Sequence, residues 1–533
     1  MTEPSDTSPE DDSHLPELIA QRRATVASWR QEGVEPYPVG VVIDDSVRAV
    51  LARYADRLEA GEETDDVTTV AGRIVLRRGH GKLVFLVLRE RGEDLQVMVS
   101  LAEVGEAGMA DVERLDTGDW VAARGRVIRS RRGELSIMAA SVRIISKAVR
   151  PLPDKFHGLS DTDTRYRQRY VDLIVNADSR TVFAIRSRIM QALRTELIQR
   201  QYIEVETPLL HPIPGGAVAK PFITHHNALD VDLYLRIAPE LYLKRLVVGG
   251  MDRVFEMGRV FRNEGLSTRH NPEFTMLETY EAYADHETIM ALTQALVQRA
   301  AREATGGEVV TYGGREVDLS GDFPRRPLLD LAREATGVED LGYDSDLAEI
   351  RALCDTHGVT WREGWGVQKL IVELYEKLAE PTLWQPTFVT EHPIETSPLA
   401  HSHRDKPYVT ERFELLVTGR ELANGFSELA DPEDQRSRFE DQAKARAAGD
   451  EEAMVVDEDY LRALEYGLPP TGGLGVGVDR LVMLLAGVET IRDVIFFPTL
   501  RPEHVGRTDP ALPAMTQSAK GVVRPPEDTP DAF

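Results

Sequence analysis

Cysteine is almost absent from this chain of 533 residues. The one thiol, Cys354, leaves no partner for a disulfide within the chain and no basis for a cysteine metal cluster. No uninterrupted apolar run approaches the roughly 20 residues that a membrane-spanning helix needs. The first dozen residues are acidic and rich in Pro and Ser. They lack the basic start and apolar stretch of a signal peptide and are expected to be disordered. These absences predict a cytoplasmic protein with no membrane contact. Basic residues are also short: 63 Lys and Arg against 89 Asp and Glu leave a net charge of −26. Such a balance argues against general nucleic-acid binding.

The shortage is uneven. Residues 67–150 hold 15 Lys and Arg against 10 Asp and Glu, a balance of +5, so the remainder carries −31. A basic module on an acidic body suits a protein that touches a polyanion at one chosen place. Within that module the apolar period changes to that of β-structure. Five short strands are predicted, with a helix over 101–115 after the third, the order of an OB-fold barrel. Such barrels stack bases on aromatic side chains and pair phosphates with basic groups. Arg77, Arg78, Phe85 and Gln96 on the first three strands are candidates, Phe85 to stack a base and Gln96 to read its edge. The competing reading puts Phe85 in the core.

The flanking regions are helical or loose. Apolar spacing predicts helices over 14–33 and 46–60, the second capped by Ser46. Residues 1–60 thus form an acidic tail and helical extension, and 61–150 the barrel domain. Residues 151–177 read as a linker, 178–504 as a larger domain of alternating strands and helices, and 505–533 as a loose tail.

One stretch of the larger domain stands out. Residues 253–283 read as an antiparallel hairpin with a long polar loop. On alternating strands Arg262 and Glu264 share a face, as do Phe274, Met276, Glu278 and Tyr280. That is the composition of a polar site floor; a solvated sheet surface is the alternative.

Three segments in order resemble the signatures of class II aminoacyl-tRNA synthetases. They are Ile203-Glu204-Val205-Glu206-Thr207-Pro208 after a helix, Phe261-Arg262-Asn263-Glu264 with its return strand, and the Gly-rich turn Gly473–Gly477 with Asp479-Arg480 opening a helix. The barrel position is similar to the aspartyl, asparaginyl and lysyl subgroup. Ile213-Pro214-Gly215-Gly216-Ala217, Lys220–Asp230, Leu235–Leu241 and Asn424-Gly425-Phe426-Ser427-Glu428-Leu429 resemble the lysyl-tRNA synthetases. The likeness spans roughly 15–504. His401 and Gln368 depart from the family pattern.

The resemblance implies an α+β fold: an antiparallel sheet flanked by helices behind an N-terminal OB barrel. It also implies a lysine–tRNA ligase and a homodimer with Arg180–Pro208 at the interface. ATP and L-lysine would form lysyl-adenylate, and lysine tRNA would receive the lysyl group. The attacking carboxylate is already an anion, so the chemistry needs positioning and charge stabilisation rather than a base. Arg262 is suited to bridge that carboxylate and the α-phosphate, and Arg480, at a helix start, to the terminal phosphates. Glycines 473, 475 and 477 are expected to let backbone approach the nucleotide. By resemblance, Glu264, His270, Asn271, Phe274 and Gly477 complete the ATP site. Gly216 and Glu240 take the α-amino group of lysine, Tyr280 and Glu428 its ε-ammonium, Phe426 its stem and Asn424 its carboxylate. An ε-ammonium taken from water also needs carboxylates, and Glu278 on the return strand offers one.

Mg²⁺ would be held with ATP by Glu414 and Glu421. A two-residue turn at Thr418-Gly419 would pair Leu416 with Glu421 and leave Glu414 diagonal to Glu421. A solvated hairpin is the alternative. A regular strand then puts Glu421 and Asn424 on opposite faces, so either a bulge lies near Gly425 or one role is wrong. Three rivals stand beside this reading. One is a ligase for aspartate or asparagine, in which Glu278 and Glu428 would meet no cation. The others are an enzyme that lysylates protein or lipid, and a pure nucleic-acid-binding module.

Overall fold

The computed structural model describes residues 14–153, 159, 161–449 and 453–502. The tails expected to be loose, 1–12 and 505–533, lie outside the described residues.

The N-terminal part is built on α1 (Leu15–Gln31) and α2 (Val47–Tyr54), then β1 (Glu63–His80), β2 (Leu83–Glu90) and β3 (Glu93–Ser100). It continues with α3 (Leu101–Glu113), β4 (Trp120–Arg129) and β5 (Leu135–Ser146). The five strands close into a barrel in the order β1-β2-β3-β5-β4. Alternation explains it: Val84, Leu86 and Leu88 point into the core with Val97 and Ile137, while Phe85 and Val87 face outward. Ser46 does cap α2, its Oγ accepting from Ala49 N at 3.1 Å. The helix stops at Tyr54 rather than near Ala60, and Leu58 reaches the barrel core from the irregular chain after a turn instead.

The stretch read as a linker contains two short helices, Thr162–Arg167 and Arg169–Val175. Arg169 is buried and donates to the Phe496 and Arg492 carbonyls, tying this stretch to the larger domain.

There α4 (Ala177–Gln199) leads to β6 (Ile203–Glu204), α5 (Glu240–Val248), β7 (Arg253–Phe261), β8 (Glu273–Ala282) and α6 (His286–Thr305). After β9 (Arg325–Pro327) come α7 (Val367–Leu378), β10 (Thr387–Thr390), β11 (Arg412–Leu416) and β12 (Glu421–Ser427). The last are α8 (Glu458–Glu465), β13 (Thr471–Gly477) and α9 (Val478–Ala486). Eight strands form one sheet in the order β9-β10-β11-β12-β13-β8-β7-β6. Its pairs are antiparallel except β6 with β7 and β9 with β10. One face packs on α4, α6 and α9 around Leu193, Phe255, Leu296 and Leu481. The opposite face is covered only in part, by α5 and α8 around Val254, Tyr280 and Tyr460. The uncovered part holds the cavity described next.

Candidate active site

The hairpin expected over 253–283 is β7 and β8, in register from Arg253 opposite Glu281 to Phe261 opposite Glu273. Arg262 N still bonds to Pro272 O, so Arg262 leaves the strand on its original side. β8 then runs beside β13, and β13 beside β12. Glu278 and Asn424 therefore both lie opposite Gly475, and Tyr280 and Phe426 both opposite Gly473. Glycine at these central positions leaves the middle of the sheet without side chains, and a cavity of about 390 Å³ opens over it.

Its wall brings together Arg262, Glu264, His270, Asn271, Phe274, Gly477 and Arg480 at one end. Gly216, Glu240, Glu278, Tyr280, Asn424 and Phe426 line the other, with Glu421 also on the wall. Two proposed residues lie elsewhere. Glu414 lines an adjoining cavity that shares Val218, Thr396, Pro398 and Arg412 with the first. Glu428 is fully buried behind the wall against Lys244.

The end around Arg262 is basic and aromatic. The Arg262 guanidinium sits 5.2 Å from the centre of the Phe274 ring, and its Nε has no hydrogen-bond partner among the described residues. Burial lowers its pKa, and Glu421 and Glu264 oppose that shift. His270 Nδ1 lies 3.1 Å from Ser267 Oγ, and burial followed by the Arg480 charge keeps the imidazole pKa below its ordinary value. The Asn271 amide is engaged at both ends: Nδ2 donates to Glu273 O at 2.6 Å and Oδ1 accepts from Thr499 N at 3.2 Å. It fastens the loop to the C-terminal segment. Arg480 Nη1 donates to Glu421 O at 2.6 Å from the first turn of α9, whose N-terminus has no side-chain cap. A helix N-terminus without a side-chain cap favours an anion beside it.

Asp479 drew no role from the sequence. It is 2% exposed, and its Oδ1 accepts from Arg186 on α4 at 2.6 Å while its Oδ2 accepts from Thr275 N on β8 at 2.6 Å. Three elements meet on this carboxylate, which sets where α9 begins and so where Arg480 stands. Breaking such a buried pair from one side costs about 3–5 kcal/mol.

The other end is acidic and closed. Glu240, Glu278 and Glu428 are all buried, and burial is the main cause raising each carboxyl pKa above its usual range. Glu278 Oε2 accepts from Tyr280 Oη at 3.1 Å. Gly216 has φ +86, and a Cβ there would meet Glu240 Cβ at 3.1 Å and Ala238 Cβ at 3.2 Å. Only glycine combines that backbone with that closeness. A second glycine is crowded by this end. At Gly473 a Cβ would lie 1.9 Å from Glu428 Oε1 and 2.7 Å from Tyr280 Cε1, so its lack of a side chain makes room for the acidic end.

Between the ends stands Arg412, also missed from the sequence. Its Nε donates to Asn424 Oδ1 at 2.9 Å, Nη1 to Thr396 O and Ser397 Oγ, and Nη2 to Glu414 Oε1 at 2.6 Å. Asn424 is left with its NH₂ group for a ligand. The parity conflict between Glu421 and Asn424 resolves here. Leu416 pairs with Glu421 but Leu415 with Ala423, so Leu422 is a bulge. The extra residue turns Glu421 to the side of Asn424. The bulge thus lies three residues before Gly425. It also sets Glu414 opposite Asn424, one step further from Glu421 than a regular hairpin would. Thr418 and Gly419 form the expected two-residue turn, both at positive φ (55° and 65°), with Val417 N donating to Arg420 O.

On the barrel, Arg78 lies opposite Phe85, and Phe85 opposite Met98. Phe85 is half-buried on the outer face and stands outside the barrel core, contrary to the core reading. Gln96 shares that face, its Nε2 donating to Ser136 Oγ at 2.9 Å. Arg77, opposite the buried Leu86, turns the other way at the rim.

Comparison with known proteins gives two family matches along the chain. A family model described as tRNA synthetases class II (D, K and N) matches residues 161–501, and one described as an OB-fold nucleic acid binding domain matches 68–145. The lysine–tRNA ligase of Azoarcus sp. (strain BH72) is 49% identical over 93% of this chain and 98% of its own length. That of Dechloromonas aromatica (strain RCB) is 50% identical over 91% and 97%. That of Moorella thermoacetica is 49% identical over 92% and 98%.

Proposed function

The chain belongs to the lysine–tRNA ligase family of class II tRNA synthetases, and we propose on that premise how its residues divide the work. The protein charges lysine tRNA with lysine at the expense of ATP. One observation carries the assignment of roles: a single cavity is basic and aromatic at one end and lined by buried carboxylates at the other.

ATP lies at the first end. Phe274 offers a face to the adenine, Glu264 accepts from its amino group, and His270 and Asn271 shape the loop beside it. Arg262 holds the lysine carboxylate and the α-phosphate together, its planar fork reaching both. Lysine lies at the second end, its α-amino group near Gly216 and Glu240 and its ε-ammonium near Glu278, Tyr280 and Glu428. Asn424 steadies its carboxylate and Phe426 its stem. The carboxylate oxygen attacks the α-phosphorus, the bond to pyrophosphate breaks, and Arg480 with the α9 N-terminus stabilises the charge that leaves. The adenylate then gives its lysyl group to the tRNA 3′ end, releasing AMP. Exchange of label between pyrophosphate and ATP, driven by each amino acid in turn, tests the pocket. Lysine alone should support it, and equal exchange with aspartate or asparagine would overturn the assignment.

Glu414 and Glu421 fit a magnesium ion that arrives with the phosphates, since such ions take one or two carboxylates plus phosphate oxygens. Negative charge is in surplus there. Burial, reinforced by Glu414, pushes Glu376 up to about 7 and Glu380 up to about 8. When bound, the ion neutralises charge on phosphate oxygens. Glu414→Gln should raise the magnesium concentration needed for half-maximal exchange; an unchanged value removes Glu414 from the site.

Residues 61–150 are the anticodon-binding domain on this reading, 151–177 the joint and 178–504 the catalytic domain, after an extension over 1–60. Arg78, Phe85 and Gln96 face the tRNA, with Arg77 at the rim. Phe85→Ala should lower charging of lysine tRNA about tenfold, the order of one lost base stack, with pyrophosphate exchange unchanged. Equal loss in both assays would mean a structural role. The active form is a homodimer. Ile198, Ile203, Leu209 and Leu210 leave apolar side chains exposed along and just after the Arg180–Pro208 segment, a patch suited to a second copy. Sedimentation should show twice the chain mass, and a monomer at micromolar concentration would refute this. No described helix is long and apolar enough to cross a membrane. A cytoplasmic location is proposed, to be checked by cell fractionation.

A further inference from the structure

Lys244 is an unexpected cation in a pocket meant for one. It lies on the buried face of α5, and its side chain is fully buried. Its Nζ donates to Glu240 Oε1 at 2.7 Å, pairs with Glu428 Oε2, and stands 5.5 Å from the Phe426 ring centre. The two oxygens of Glu428 thus differ. Oε2 meets Lys244. Neither oxygen makes a hydrogen bond of regular geometry among the described residues, so Oε1 is set apart by position: it lies on the Gly473 side, where a Cβ would come within 1.9 Å of it. Gly473 lines the cavity, whereas Glu428 and Lys244 do not. A buried carboxylate oxygen without a partner costs free energy unless a ligand completes it.

We propose that Lys244 is a positioning residue for lysine recognition: it pins Glu428 through Oε2 and so presents Oε1, across the gap left by Gly473, to the substrate ε-ammonium. This rests on the reading of Glu428 as an acceptor for that ammonium. Charge count supports it. Glu240, Glu278 and Glu428 carry three negative charges when ionised, and Lys244 cancels one. The remaining two match the two ammonium groups of lysine and no amino acid with a neutral or acidic side chain. Lys244 also keeps Glu428 ready. Burial raises the Glu428 pKa and Lys244 opposes that rise. The groups facing the pair are Glu240 on α5, Glu278 and Tyr280 on β8, and Tyr460 on α8. Arg412 acts on Glu240, while Arg236 and Arg262 act on Glu278. None of them replaces the Lys244 contact to Oε2.

The test is a double-mutant cycle read by lysine-dependent pyrophosphate exchange across pH. Glu428→Gln should raise the KM for lysine about 10–100-fold, the range of one charge-assisted hydrogen bond. Lys244→Met should raise it comparably and leave the KM for ATP within about twofold. Without Lys244 the Glu428 pKa rises further, so the acid limb of kcat/KM for lysine should move to higher pH. Lys244→Arg should leave that limb in place. The double variant Lys244→Met/Glu428→Gln should stay within about threefold of Glu428→Gln alone, the small remainder coming from the Glu240 contact that Lys244 also makes. That comparison stands even where Lys244→Met, with its unpaired buried acid, fails to fold. A double variant worse by a further factor of about ten, or an unmoved acid limb in a folded Lys244→Met, overturns the proposal. An unchanged lysine KM in Glu428→Gln would instead overturn the reading on which it rests.

Discussion

Arg262→Ala is expected to cut lysine-dependent pyrophosphate exchange by about 10³-fold or more, with little change in melting temperature. The two parts of that result have separate causes. Arg262 leaves β7 at the cavity edge, and its Nε holds no partner among the described residues. Its removal therefore breaks no internal ion pair on which the fold depends. Chemistry depends on it more heavily, because the reaction has no base to lose. Rate comes from holding an anionic carboxylate against an anionic phosphate and from stabilising the charge that develops between them. Loss of one preorganised donor in such a site costs about 10²–10³-fold, and Arg262 serves both partners. Fluorescence titration should still show ATP bound near Phe274. Exchange within about threefold of the parent would remove Arg262 from the reaction.

The second large effect falls on a residue with no side chain. Gly473→Ala places a methyl group 1.9 Å from Glu428 Oε1 and 2.7 Å from Tyr280 Cε1, closer than any real contact. Backbone cannot yield there, because β13 is paired on both sides, with β8 and β12. Glu428 must swing away or Tyr280 must tilt, and either change removes a charge-assisted hydrogen bond worth roughly 1.5–3 kcal/mol. The KM for lysine should rise about 10–100-fold while the KM for ATP stays near its starting value. The split between the two constants is the informative part. A rise in the ATP value alone would return Gly473 to the nucleotide, where the sequence pattern had placed it.

That contrast shows what a sequence of this kind makes legible. The hairpin, the polar face of Arg262 and Tyr280, the barrel order and the turn at Thr418-Gly419 follow from local alternation and turn chemistry, and all are found. What a residue in one strand does for a residue in the next is set by register, and register is not local. Leu422 looks like any apolar strand residue, yet as a bulge it brings Glu421 to the side of Asn424 and moves Glu414 one step off. Gly473 belongs to the acidic end because it lies between Tyr280 and Phe426 across two strand pairs. Lys244 left one local trace, a lysine four residues after Glu240 on an otherwise apolar helix face. A surface ion pair would have left the same trace. Arg412 and Asp479 left none, because the contacts that give them their roles, Arg412 to Asn424 and Asp479 to Arg186, span 12 and 293 residues.

Everything above depends on the cavity being a place where lysine is activated and then handed to tRNA. The direct measurement is aminoacylation of purified lysine tRNA by the purified chain with labelled lysine and ATP. Acid-precipitable label should accumulate to one lysyl group per tRNA, and labelled aspartate or asparagine should give none. Failure to charge lysine tRNA under conditions where the chain catalyses lysine-dependent pyrophosphate exchange would contradict the account, as would equal charging with aspartate or asparagine.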